Sequence, residues 1–270
     1  MDFKRMIAGG LLAAAGTLFV TTNVKSQTIS AGVKNIVLVH GAFADGSSWA
    51  KVIAILQEKG YRVIAVQNPL TSMDEDIAAT KRAIALMDGP VLLVGHSYAG
   101  MVITEAGVDP KVAGLVYVAA LIPDLGQSVV DVNAPFPPAP GGTEIHPDAA
   151  GFLSMTDKGI NEDFAPDAQA SERKVIFATQ VPWAATATQQ KVSNLAWKTK
   201  PSWVIIATHD RMINPEVERA TAKMINAKTM ELATNHVAMV TEPKKVAGFI
   251  RKRQNRWLQP NRLYNNRLIK

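Results

Sequence analysis

Short runs rich in β-branched residues alternate with longer stretches of helical spacing along this chain. The short runs fall at 35–39, 62–66, 91–94, 115–119, 203–207 and 229–232. Each is nearly continuous in apolar character, as strands covered on both faces are. Between them the spacing predicts helices at 48–59, 73–87, 99–106, 216–225 and 244–254. In the second of these, Ile77, Ala83, Ile84 and Met87 mark the apolar side. Strand and helix in alternation predict an α/β fold, a parallel sheet wrapped by helices. No internal repeat is visible.

One stretch breaks the alternation. Residues 123–200 offer no clear strand of the main sheet, and 133–142 are dense in Pro, Ala and Gly. A connection that long inside a compact domain forms a lid or an insertion with its own structure. Phe152, Phe164, Trp183 and Trp197 give it apolar groups to bury. It is therefore read as a cap, dividing the core into 27–122 and 201–257. A chain of 270 residues suffices for one well-buried domain with such an insertion, and not for two large ones.

The ends have a different character. Lys4 and Arg5 precede an apolar run at 6–20, and Val24-Lys25-Ser26 suits cleavage before Gln27. Residues 1–26 are accordingly expected to be a signal peptide, with the mature protein periplasmic or secreted. The apolar run is shorter than the roughly 20 residues of a bilayer span, so no membrane anchor is expected after cleavage. Removing this leader lowers the formal charge from +6 to +4, and the seven Lys and Arg of 251–270 leave the body at −3. Basicity is thus terminal, ending in a tail at 258–270, and no nucleic-acid partner is implied. Cysteine is absent, which excludes disulfides, thiolate metal sites and a cysteine nucleophile.

Chemistry concentrates after the third strand, in Gly95-His96-Ser97-Tyr98-Ala99-Gly100. The pattern Gly-x-Ser-x-Gly between a strand and a helix is that of a nucleophile elbow, whose tight turn requires small flanking residues. Ser97 is the expected nucleophile. The following helix start leaves backbone N–H groups free, so Tyr98 N–H is an expected oxyanion donor. A second turn, Val39-His40-Gly41-Ala42-Phe43, supplies Ala42 N–H as its partner, with Phe43 N–H in reserve.

A serine hydroxyl needs a base, and five histidines compete. His40 and His96 lie inside the two turns, where they support the backbone. His146 falls in the cap, and His209 adjoins Asp210 too closely to leave room for a separate acid. His236, after the last strand, fits the chain order nucleophile, acid, base. Asp210, in the exit loop of the strand at 203–207, is the expected acid, with Asp124 as its rival after the strand at 115–119. Phe43 and Trp183 are the candidates for lining a substrate pocket.

The stretch 37–49, the elbow, Asp210 and the segment around His236 resemble a bacterial branch of the α/β-hydrolase superfamily that is similar to plant methylesterases and hydroxynitrile lyases. The likeness covers most of residues 34–250 and is weakest in the cap. It implies a six-stranded core sheet, a helical cap and a Ser-His-Asp mechanism with no metal or organic cofactor. Those lyases carry a threonine where Gly41 stands and a lysine where Val237 stands, so no cation is placed for departing cyanide. Epoxide hydrolases and dehalogenases of this fold use a carboxylate nucleophile, which Ser97 excludes. The expectation is an esterase acting on small-molecule carboxylic esters of small to medium apolar groups. A perhydrolase or lyase on the same triad, and a non-catalytic ligand-binding protein, stay open. Activity is expected to fall on the acidic side of neutrality as the base protonates.

Overall fold

The computed structural model describes residues 33–254. The first half holds β1 (Asn35–Val39), α1 (Ala50–Glu58), β2 (Arg62–Ala65), α2 (Met73–Ala85), β3 (Val91–Ser97), α3 (Ala99–Ala106) and β4 (Val112–Ala120). An insertion follows with α4 (Val129–Asn133), β5 (Ile145–Pro147), β6 (Phe152–Met155) and α5 (Asp157–Gly159). It continues through a π-helical turn (Ile160–Phe164), α6 (Ala170–Thr179) and β7 (Trp183–Ala184). The chain returns through β8 (Ser202–Ala207), α7 (Pro215–Met224), β9 (Lys228–Leu232), α8 (Ala238–Thr241) and α9 (Pro243–Gln254). The expected leader at 1–26 and tail at 258–270 lie outside the described residues.

Six strands form one sheet in the order β2-β1-β3-β4-β8-β9, and every pairing in it is parallel. All five residues of β1 are buried, as are the first six of β3. Helices on both faces exclude water from these strands, so no polar face is needed. The edge strands β2 and β9 are more exposed and carry Arg62, Lys228 and Glu231. β3 runs past its apolar stretch because Gly95 and His96 are also buried, in register with Tyr117 and Val118 of β4.

The winding fixes where a site can form. From β1 the chain steps outward to β2, then crosses back to place β3 on the other side of β1. The carboxyl ends of β1 and β3 therefore face a crevice at the point where winding reverses, the general ligand position in open parallel sheets. Ser97 ends one of these strands, and the His40-Gly41 turn follows the other.

The insertion is not purely helical. β5, β6 and β7 form a separate antiparallel sheet, pairing Ile145 with Met155 and Leu153 with Trp183. Strands of two to four residues are too short to display a period of two, which is why the sequence pattern does not reveal them. The insertion is fastened to the body by polar contacts. Ala184 N–H donates to Leu70 O at 2.8 Å, and Asn194 N–H to the buried Glu105 at 2.9 Å. Among the described residues no helix is long and apolar enough to cross a membrane.

Packing of α3 against β4 depends on Gly100. A Cβ there would lie 2.0 Å from Leu121 O, within backbone that cannot shift without moving the strand end. Gly248, in α9, has open space around its Cα. Gly100→Ala is expected to destabilise the fold by about 3 kcal/mol or more through overpacking. Gly248→Ala should instead stabilise it by about 0.5–1 kcal/mol through helix propensity. Thermal unfolding of both variants beside the parent chain checks the contrast, and equal effects would refute it.

Candidate active site

Ser97 adopts φ 57°, a left-handed conformation that L-residues rarely take. Three glycines make room for it. Cβ atoms would lie 2.8 Å from Ala99 O at Gly95, 2.0 Å from Leu121 O at Gly100, and 2.6 Å from Ser97 Cβ at Gly41. The first two let strand and helix meet at the elbow; the third lets the turn after β1 pass directly beside the serine. Phe43, two residues beyond Gly41, is also left-handed at φ 58°.

The structure brings Ser97, His236 and Asp210 into one hydrogen-bonded chain. Asp210 Oδ2 lies 2.6 Å from His236 Nδ1, and Ser97 Oγ lies 2.9 Å from His236 Nε2. An ionised carboxylate only accepts hydrogen bonds, so Nδ1 carries the proton and donates it to Asp210. Nε2 is left to accept from the Ser97 hydroxyl. The other Asp210 oxygen accepts the N–H groups of Met212 at 2.7 Å and Ile213 at 2.9 Å, which fixes the carboxylate plane. His236 and Asp210 are both buried, whereas Ser97 is partly open to the crevice.

The remaining candidates sort cleanly. His40 donates from Nδ1 to Gly41 O at 2.8 Å and accepts Asn68 N–H on Nε2 at 2.9 Å, so it braces the first turn. Burial lowers its pKa below the usual histidine value, which keeps it neutral. His96 donates from Nε2 to His236 O at 3.0 Å and thereby holds the backbone of the histidine it stacks beside. Burial, reinforced by His236, holds His96 well below the usual range. His209 and His146 are exposed, and Asp124 is an exposed residue that bonds Leu125 N–H in its own loop.

A cavity of about 260 Å³ opens above Ser97. Its walls include Leu121, Val129, Ile145, Phe164 and Trp183, and His236 is the single ionisable side chain among the lining groups other than Tyr98. Ala42, Phe43 and Tyr98 also line it, and among the described residues the N–H groups of Ala42 and Tyr98 have no protein acceptor. The start of α3 likewise carries no side-chain cap. Trp183 packs against the Tyr98 ring at 4.8 Å with the planes tilted by 47°, and meets Phe43 edge-on at 6.0 Å, joining the insertion to both turns. Trp197 and Phe152, grouped with Trp183 in the sequence pattern, do not line this cavity.

Phe164, one of the four aromatic residues named in the cap, places its ring 5.3 Å from that of His236. Other side chains escape sequence reasoning. The Tyr98 hydroxyl donates to buried Asp76 Oδ2 at 2.9 Å, and Leu70 N–H donates to Asp76 Oδ1 at 2.8 Å. Burial pushes the Asp76 carboxyl up to about 6, against a usual 3.8, despite these two donors. Glu218 is fully buried behind the acid loop and accepts Ala207 N–H at 3.2 Å. Burial and the neighbouring Asp210 carboxyl hold its carboxyl well above the usual range. Both acids sit on helices whose other acidic residues are solvated, and nothing in sequence separates the two kinds.

The general description of the alpha/beta hydrolase family matches residues 36–249, spanning all six strands and the three bonded side chains. The chain belongs to the alpha/beta hydrolase family. This alpha/beta hydrolase is 35% identical over 112 residues to a carbendazim hydrolyzing esterase of Nocardioides sp. (strain SG-4G), covering 36% of this chain and 46% of that one. It is 31% identical over 127 residues to Methylesterase 8 of Arabidopsis thaliana, covering 42% and 46% respectively. The aligned stretch thus spans about half the length of these curated relatives. Its fold superposes on the crystal structure of polyneuridine aldehyde esterase with a TM-score of 0.70 over 81% of this chain and 98% of that one. Identity there is 19%, so the likeness is one of fold.

The buried Asp76 gives this alpha/beta hydrolase a specific pH response. A carboxyl whose folded-state pKa is raised contributes stability that is complete below about pH 4 and is lost as pH rises through 6. The loss from this group is at most about 3 kcal/mol. Asp76→Asn keeps a side-chain acceptor for Leu70 N–H and is expected to flatten the fall in Tm between pH 4 and 7. An unchanged slope in the variant would contradict the assignment.

Proposed function

We propose that this chain is a serine carboxylic-ester hydrolase with Ser97 as nucleophile, His236 as general base and acid, and Asp210 as the group that orients and stabilises the imidazole. The observation that carries this is the unbroken hydrogen-bonded chain from Asp210 through His236 to Ser97, at 2.6 and 2.9 Å, ending on a serine exposed to an apolar cavity. The names of the curated relatives, an esterase and a methylesterase, support the same class of reaction.

In the first half of the cycle His236 Nε2 takes the Ser97 hydroxyl proton while Oγ bonds to the ester carbonyl carbon. The developing oxyanion accepts from Ala42 and Tyr98 N–H, each such donor being worth about 3 kcal/mol of barrier. The carbon–oxygen bond to the alcohol then breaks, and His236 returns its proton to the departing alcohol oxygen. Water enters, gives a proton to His236 and attacks the acyl carbon. Collapse expels Ser97 Oγ, which recovers the proton, and the acid leaves.

The substrate class follows from the lining. Among the described residues no Asp, Glu, Lys or Arg side chain lines the cavity, so an anionic or cationic substrate would lose its hydration without a partner. Uncharged esters of small to medium apolar groups fit it. Lyase chemistry is disfavoured because Val237 is buried and apolar, and because any Cβ at position 41 would meet Ser97 Cβ at 2.6 Å. We further place the enzyme outside the cytoplasm on the basis of residues 1–26, a reading tested by whether the exported protein begins at Gln27.

Ser97→Ala is expected to lower kcat/KM on p-nitrophenyl esters of short acids by at least about 10⁴-fold. Asp210→Asn should lower kcat by about 10⁴-fold, since it changes the imidazole tautomer while keeping the shape. Thermal unfolding verifies that both variants fold. Full turnover by folded Ser97→Ala, or a folded parent chain inert to every ester, would defeat the proposal.

A further inference from the structure

Three side chains of the insertion, within five residues of one another, reach the two loops that carry Asp210 and His236. Asp163, 4% exposed, accepts Arg211 Nε–H at 2.7 Å, and Arg211 is the residue directly after Asp210. Asp167 accepts Asn235 N–H at 2.9 Å and Asn235 Nδ2–H at 2.7 Å, and Asn235 directly precedes His236. Between them the Phe164 ring abuts the His236 imidazole at 5.3 Å. Gly141 N–H adds a bond to Arg211 O at 2.8 Å from another part of the insertion. The segment itself is anchored by buried Ile160, Ala165 and Ala168. It begins in a π-helical turn, a rare form that often marks functional positions.

These contacts converge on the acid and base loops at once, although the loops are 26 residues apart in sequence and share no element. We propose that the segment from Asp163 to Asp167 is a positioning device: Asp163 sets the acid loop and Asp167 sets the base loop, so the insertion aligns the catalytic pair as well as walling the cavity. The inference rests on the esterase reading for its kinetic consequence, while its geometric content stands apart. Neither aspartate touches a reacting atom. Each acts through the neighbour of a catalytic residue, where a displacement of about 1 Å can cost up to about 100-fold in rate.

The experiment uses the full chain with Asp167→Ala, Asp167→Asn, Asp163→Asn and a control, Asp148→Ala. Asp148 is another exposed aspartate of the insertion, bonded within its own loop to Ala150 and Phe152 N–H. Asp167→Ala and Asp163→Asn are expected to lower kcat on p-nitrophenyl esters about 10- to 100-fold with KM changed less than about threefold. Asp167→Asn, which keeps an acceptor for Asn235 N–H, should recover part of the loss, and Asp148→Ala should match the parent. The downfield proton resonance of His236 Nδ1–H, identified by its absence in His236→Gln, is expected to shift or broaden in Asp167→Ala alone among the Asp167 and Asp148 alanine variants. That signal reads the alignment even if no ester is turned over, so an inert parent chain would count against the esterase and not against the positioning. An unshifted resonance with parental kcat in folded Asp167→Ala and Asp163→Asn would overturn the inference, as would equal losses in Asp148→Ala.

Discussion

Holding Ser97 in a left-handed conformation at the end of a buried strand costs on the order of 1–3 kcal/mol, and much of the surrounding architecture answers that constraint. The conformation lifts Oγ out of the sheet toward the crevice, but it persists only if strand, helix and the turn after β1 close in around it. Gly95, Gly100 and Gly41 permit this approach from three directions. Their missing side chains bring the N–H groups of Tyr98 and Ala42 to the same small volume as the hydroxyl. Winding reversal between β1 and β3 is what makes the two turns neighbours in the first place.

A second constraint is electrostatic. The site sits among buried polar groups that burial alone would make costly, and each is made neutral or bonded. His40 and His96 are kept neutral and used as braces, one for the first turn and one for the backbone of His236. Asp210 accepts two backbone N–H groups besides the imidazole. Glu218, close behind it, has its carboxyl pushed well up by burial and by Asp210, which disfavours a second negative charge there. The cavity above is left apolar, a setting in which hydrogen bonds to charge are stronger than in water.

The fold was legible wherever one periodicity ran long enough to be read. Continuous apolar strands at the sheet centre and a strand–serine–helix junction are local signals, and they located β1, β3, β8 and the elbow within a few residues. The order of Ser97, Asp210 and His236 was legible because topology fixes it, and those side chains do meet in space. Local signal fails where the information is long-range. The two-residue strand β7 has no period, although its Trp183 was a pocket candidate from sequence and lines the cavity against Tyr98. Asp76 and Glu218 look like any helical acid until burial is known. Asp163 and Asp167 acquire meaning from partners 48 and 68 residues away.

The central claim is that Ser97 is the activated nucleophile of this fold, and covalent capture tests it most directly. The full chain would be treated with a fluorophosphonate, digested, and its peptides mapped by mass spectrometry. The account predicts one phosphonylated residue, Ser97, because among the described residues only there does a hydroxyl donate to an oriented imidazole beside free N–H donors. A folded chain that takes up no adduct, or one modified at another serine with Ser97 intact, would contradict it.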